Sequence, residues 1–240
     1  MPTASATDFA AAQATGAVGA LPSTAFTLFE DFALAPSGTI PPPWTIQDTS
    51  AAGTPTKDYV ADAAGGVHHC LMAATNEAEV VGYHHGDQRM IDITKAPIIE
   101  FRVKFKGTAA AVFAAGERWV VGLASDYNAT FDSTTTLAWF RHEGAGSGRA
   151  IVIEGDDGTT DTDDQACVPA TSWAEDTFLL LKIDCTTLSA VKFYINGVYV
   201  GSVSMPLATG TVQPVALMQK DSGTTTPDIF IDYCDINAGR

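Results

Sequence analysis

Apolar and polar residues alternate strictly over 99–106, IEFRVKFK: Ile99, Phe101, Val103 and Phe105 share one face, Glu100, Arg102, Lys104 and Lys106 the other. Successive side chains of a strand point to opposite sides, so this stretch predicts a strand with one face in a core and one in water. Shorter runs of β-forming residues predict further strands over 26–32, 67–73, 79–84, 118–124, 137–142, 150–154, 178–184, 212–219 and 229–236. Turn-forming clusters separate them, among them APSGTIPPP, DTSAAGTPTKD, EGAGSGR and DSGTTTPD. After residue 25 no helical period is sustained, and only the segment around 8–17 suits a short helix. Many short strands between turns predict an all-β fold, a jelly-roll β-sandwich of two antiparallel sheets. With no internal repeat and no linker past Phe26, the expected organisation is an N-terminal arm over 1–25 and one domain over 26–240.

The sharpest local signal is AVKFYINGVYVGSV, residues 190–203. A two-residue type I′ turn needs positive φ at both central positions, and Asn196-Gly197 meets that need at least steric cost. The turn sets Ile195 opposite Val198, Phe193 opposite Val200 and Val191 opposite Ser202 on an aliphatic face suited to a core. Tyr194 and Tyr199 pair on the other face, with Lys192 and Gly201 beyond them, and that face suits solvent, a second layer or a ligand.

Composition narrows the partners. The 240 residues are 46% hydrophobic, ample for a core, and carry a formal net charge of −15. Nucleic acid and anionic membrane both demand a basic footprint, so neither is an expected partner. No apolar run approaches the roughly 18 residues that span a bilayer. The first 26 residues have no Lys or Arg and no continuous apolar stretch, which fails as a secretory signal. The arm is expected to dock on a neighbouring subunit. Cys70, Cys167, Cys185 and Cys234 form no CxxC pair and match no zinc spacing, so buried free thiols are expected, although Cys185 and Cys234 both lie in strand-like segments.

Several groups could carry chemistry. The segment EGDDGTTDTDDQ holds Asp156, Asp157, Asp161, Asp163 and Asp164. Clustered carboxylates suit Ca²⁺, but the spacing is not that of an EF-hand, and a solvated acidic loop with no bound cofactor is the expectation. His68-His69 and His84-His85 would bring one imidazole each together if their segments were neighbouring strands, near Asp87 or Cys70; hydrogen-bonded histidines are expected over a zinc site. Neither a G-x-S-x-G elbow nor a phosphate-cradling glycine loop is present. Trp119, Trp139, Phe140, Tyr194 and Tyr199 are candidate sugar platforms, with Tyr194 and Tyr199 the pair expected to be exposed and ligand-binding.

The order of segments resembles the concanavalin A-like lectin/glucanase jelly roll, in the version also found as LamG-like domains. The resemblance rests on FEDFALAPSGTIPPPWT, MIDITKAPIIEFRVKF, RWVVGLAS, LAWFRHEGAGSGRAIVIEG, TFLLLKIDCTTLSAVKFYINGVYVGSVS and DIFIDYCDI, with LKID…VKFYINGVYVG the most specific. It covers 26 to the C-terminus and implies a concanavalin A-like sandwich. Catalytic members carry a motif resembling E-x-D-x-x-E on one strand. The nearest approach here is Glu154-Gly155-Asp156-Asp157-Gly158-Thr159, with Thr159 where the acid/base Glu belongs, so no catalytic residue is assigned.

An acidic jelly roll without that motif, behind an Ala/Thr-rich arm, resembles the auxiliary structural proteins of tailed bacteriophages, where such domains serve as capsid decoration or cement proteins. The resemblance implies a non-enzymatic virion protein assembled in the host bacterial cytoplasm. Its arm would dock on the major capsid protein or another virion protein, in a homo-oligomer such as a trimer. The alternative is a carbohydrate-binding, lectin-like module or adhesin meeting a surface glycan, and after it a degenerate glycoside hydrolase.

Overall fold

The computed structural model describes residues 25–32, 40–61, 63, 65–107, 113–128, 130–144 and 150–239. The expected arm up to Thr24, its short helix and residues 145–149 of the EGAGSGR turn lie outside the described residues. The strands are β1 (Ala25–Glu30), β2 (Thr45–Asp48), β3 (Thr56–Tyr59), β4 (His68–Leu71), β5 (Glu79–His84), β6 (Ile91–Asp92), β7 (Ile98–Lys106) and β8 (Glu117–Ala124). They continue with β9 (Leu137–Glu143), β10 (Val152–Asp156), β11 (Asp161–Ala166), β12 (Leu179–Asp184), β13 (Val191–Ile195), β14 (Val198–Val203), β15 (Thr211–Lys220) and β16 (Asp228–Gly239). Helical structure among the described residues is limited to three single 3₁₀ turns.

The strands form two antiparallel sheets. The first runs β14-β13-β12-β7-β16-β4-β3, with β1 added beside the C-terminal half of β16. The second runs β11-β10-β9-β8-β15-β5-β2, with β6 on β15. Alternation explains why they stack. Ile99, Phe101, Val103 and Phe105 of β7, with Leu181 and Ile183 of β12, face inward onto Trp119 and Val121 of β8 and Phe140 of β9. Phe105 and Trp119 stack across the sheets at 4.0 Å. The result is a jelly-roll sandwich with one main core.

A second, smaller apolar cluster lies on the other face of the second sheet, where Val120, Leu137, Trp139, Val215 and Leu217 are covered by Phe131 and Tyr127 from the 125–136 segment. That face is therefore plugged. The outer face of the first sheet carries no such cover among the described residues: Glu100, Arg102, Lys104, Lys182 and Tyr194 are all half-buried there.

Four strands escaped the sequence reading. β2, β3 and β6 are short and mostly polar, and β11, read as an acidic loop, is the edge strand DTDDQA beside β10. An edge strand in water needs no apolar alternation, so none was there to read. The hairpin register also differs from that expected. Ile195↔Val198 and Tyr194↔Tyr199 hold, but a bulge follows, and Phe193 faces Gly201 while Val191 faces Val203. The extra residue lets Val200 and Val203 both reach the core, whereas Val198, expected there, overhangs with 53% of its surface exposed.

Candidate functional site

Glu154, the first residue of the glycosidase-like segment, points away from the main core towards the plugged face. Trp139 on the neighbouring strand donates its Nε1 to Glu154 Oε2 at 2.6 Å, and Arg141 Nη1 lies 3.2 Å from Oε1. The same guanidinium binds Asp132 and Glu143. Burial is the strongest influence on Glu154 and raises its pKa to about 7, against the lowering pull of Arg141 and the Trp139 hydrogen bond. A carboxyl tuned near neutrality is what a glycosidase acid requires. Here, however, Arg141 stands between the acids, and Glu154 is only 2% exposed. Asp156, its motif partner, caps the following turn by accepting Gly158 N at 2.7 Å. This is a closed ion cluster that fastens the 125–136 segment to the sheet.

The other candidates are also absorbed by structure. Asp157 accepts the amides of Thr159, Thr160 and Leu207, tying two loops together. Asp161 and Asp163 lie along β11, and the described residues contain no grouping of three or more His, Cys, Asp or Glu able to hold a metal ion. The two histidine pairs do not become neighbours, because β4 and β5 belong to opposite sheets. Instead His68 Nδ1 meets Tyr83 Oη at 2.8 Å through the core, His69 pairs with Asp228 at 2.9 Å, and His85 packs edge-on against Trp44. Cys70, Cys167, Cys185 and Cys234 are free and buried, with burial pushing the Cys185 thiol up to about 12. Of the aromatic candidates, Trp119, Trp139 and Phe140 are core residues.

Tyr194 and Tyr199 stand on the open face of the first sheet, their rings 5.7 Å apart and tilted at 66°. Tyr199 is 48% exposed. The Nζ of Lys182, on the adjacent strand, lies 5.7 Å from the Tyr194 ring. Lys182 also lines a cavity of about 250 Å³ with Ile98, Glu100, Asp235 and Asn237. Tyr233 donates its hydroxyl to Glu100 Oε1 at 2.6 Å and so fixes that wall. The side chains of Asp235 and Asn237 and the Lys182 ammonium make no hydrogen bond or ion pair among the described residues. The cavity thus offers unused donors and acceptors beside an aromatic pair of which only Tyr199 is exposed; Tyr194, expected to be exposed as well, is half-buried between Tyr199 and Lys182. Sequence reasoning found the tyrosines but not the cavity, whose walls come from β7, β12 and β16.

No protein-family model matches the chain, and no curated protein matches its sequence. Among solved structures it is similar to SO2946, a protein of unknown function from Shewanella oneidensis MR-1, at 11% identity and TM-score 0.62, covering 100% of this chain and 96% of that one. It is also similar to the Emp47p carbohydrate recognition domain at 8% identity and TM-score 0.61, covering 92% and 100%. The fold is lectin-like. A third similarity is to the VIP36 exoplasmic/lumenal domain, solved in a Ca²⁺/Man-bound form, at 9% identity and TM-score 0.51, with 88% of each chain covered. Identities this low carry the fold and leave function to the site.

Proposed function

We propose that this chain is a non-enzymatic, lectin-like carbohydrate-binding module whose ligand lies on the open face of the first sheet. The observation that carries this reading is the Tyr194–Tyr199 pair, with Tyr199 exposed and Tyr194 half-buried, next to a polar cavity whose side chains keep unpaired hydrogen-bonding groups. Sugars present apolar C–H faces and a rim of hydroxyls, and that combination of ring and polar group answers both. The locked Glu154 cluster supports a binding role over hydrolysis. Titration of the full chain against a panel of polysaccharides should show binding without cleavage. Tyr199→Ala should weaken binding about tenfold, the effect of losing about 1.4 kcal/mol of ring contact, with the fold retained. A wild-type chain that binds none of the panel would overturn the reading.

A second reading, capsid decoration of a tailed bacteriophage, draws on the 24 residues that lead straight into β1. An Ala/Thr-rich segment of that length supplies surface to bury against a partner such as a major capsid protein. Deleting residues 1–24 should then abolish particle association and leave the sandwich folded; unchanged association would sink it.

A further inference from the structure

The register of the first sheet places residues from six strands in one line across it. Tyr199 of β14 faces Tyr194 of β13, and Tyr194 faces Lys182 of β12. Lys182 faces Glu100 of β7, Glu100 faces Asp235 of β16, and Asp235 faces Phe29 of β1. Facing residues share a side of the sheet, so all six stand on the open face. The line begins and ends on exposed aromatic rings: Tyr199 is 48% exposed and Phe29 62%. Between them lie the cavity and its unpaired polar groups. Five inter-strand steps of about 4.8 Å give the line a length of about 24 Å.

The line is also narrow. The next row on one side reads Thr27, Asn237, Ile98, Asp184, Lys192 and Ser202, with no aromatic residue. On the other side Tyr233 packs 5.7 Å from Phe29 and donates to Glu100, while Arg102 is engaged by Asp232 and lies 4.0 Å over Phe178, so the aromatic groups there are already held by the sheet's own residues. A protein partner covers a broad patch with an apolar centre. A long strip with aromatic ends, Phe29 backed by Tyr233 at one and Tyr199 with Tyr194 at the other, and a polar middle fits an extended linear polymer. Two carboxylates against one ammonium in the cavity, on a chain of net charge −15, disfavour a polyanion.

We propose that this cross-strand row binds an internal segment of an extended, uncharged glycan chain, stacked at one end on Phe29 and at the other on Tyr199 and Tyr194. This rests on the carbohydrate-binding reading above and adds Phe29 to the site, with Glu100, Lys182 and Asp235 of the cavity as the polar middle of one continuous row. Two platforms on one ligand act together only when the ligand spans both, so affinity should climb with chain length.

The test is calorimetric titration of the full chain with gluco-, manno- and xylo-oligosaccharides from disaccharide to hexasaccharide, and with polygalacturonate as the anionic arm. For the series that binds, affinity should rise about tenfold or more from disaccharide to hexasaccharide, and polygalacturonate should not bind. Phe29→Thr, which keeps a strand-forming residue, should erase the gain for the hexasaccharide and leave the disaccharide unchanged. Tyr199→Ala should weaken both, and matching melting temperatures confirm folded variants. Affinity that is flat with length, or a hexasaccharide indifferent to Phe29→Thr yet sensitive to Tyr199→Ala, would confine the site to the hairpin end and overturn the row while sparing the carbohydrate reading. Strong binding of polygalacturonate would overturn the uncharged ligand class. No binding by wild type in any series would remove the reading beneath both.

Discussion

Glu154 shows how one side chain can look catalytic and serve as a fastener. Its carboxyl has a folded pKa of about 7 against an ordinary 4.5, with burial as the largest cause. The native state therefore holds this proton more tightly than the unfolded chain, and stability falls as pH rises from about 4.5 to about 7. Glu154→Gln removes that titration and keeps the shape. The variant's melting temperature relative to wild type should thus improve between pH 5 and about pH 7 and level off by pH 8, by the equivalent of about 2–3 kcal/mol at most. A constant difference across that range would mean that Arg141 and Trp139 fully compensate the charge. Polysaccharide binding should be the same in both proteins, since the open row lies on the other sheet.

Among the elements, the β13–β14 hairpin was the most legible, and its turn has the φ values the sequence demanded, 51° at Asn196 and 78° at Gly197. No atom stands within 4 Å of where a Cβ at Gly197 would be, so any cost of substitution there is backbone strain alone. Gly197→Val should destabilise by roughly 1–2 kcal/mol in urea unfolding, without disturbing the core. Asn196 does more than turn: its Oδ1 accepts Leu180 N at 2.9 Å, binding the hairpin end to β12. Strands with a buried face, such as β7 and β12, were readable because core burial imposes period two. The bulge before Gly201 and the edge strand β11 were not, because nothing in their local pattern marks them. The site divides in the same way. Tyr194 and Tyr199 could be named from one hairpin, whereas Phe29, Glu100 and Asp235 meet only through registers that join strands far apart in sequence.

Over the whole molecule, one end of the sandwich is held by a charge that never meets water. Lys220 and Glu79 are both buried and pair at 3.0 Å, and the same ammonium donates to the carbonyls of Ala73, Thr75 and Thr225. Nearby, Glu77 accepts the amides of Ala51, Ala52 and Gly53. Loops from three parts of the chain are thereby fixed around three charged residues, Lys220, Glu79 and Glu77. Lys220→Met leaves Glu79 buried without its counter-charge and should cost about 3–5 kcal/mol in denaturant unfolding. Adding Glu79→Leu should recover much of that loss, because the apolar pair demands no desolvation; a double variant as unstable as the single one would show that the carbonyl contacts dominate.

The acidic strand β11 has a consequence for crowded solutions. Among the described residues it is the last strand of its sheet, with no strand beside one row of its backbone groups, and such a row can template a second chain. Asp161, Asp163 and Asp164 all project from that margin into water. Two copies approaching margin to margin would bring like charges together before any amide could pair. That row of like charges opposes the edge-to-edge growth of sheet from copy to copy.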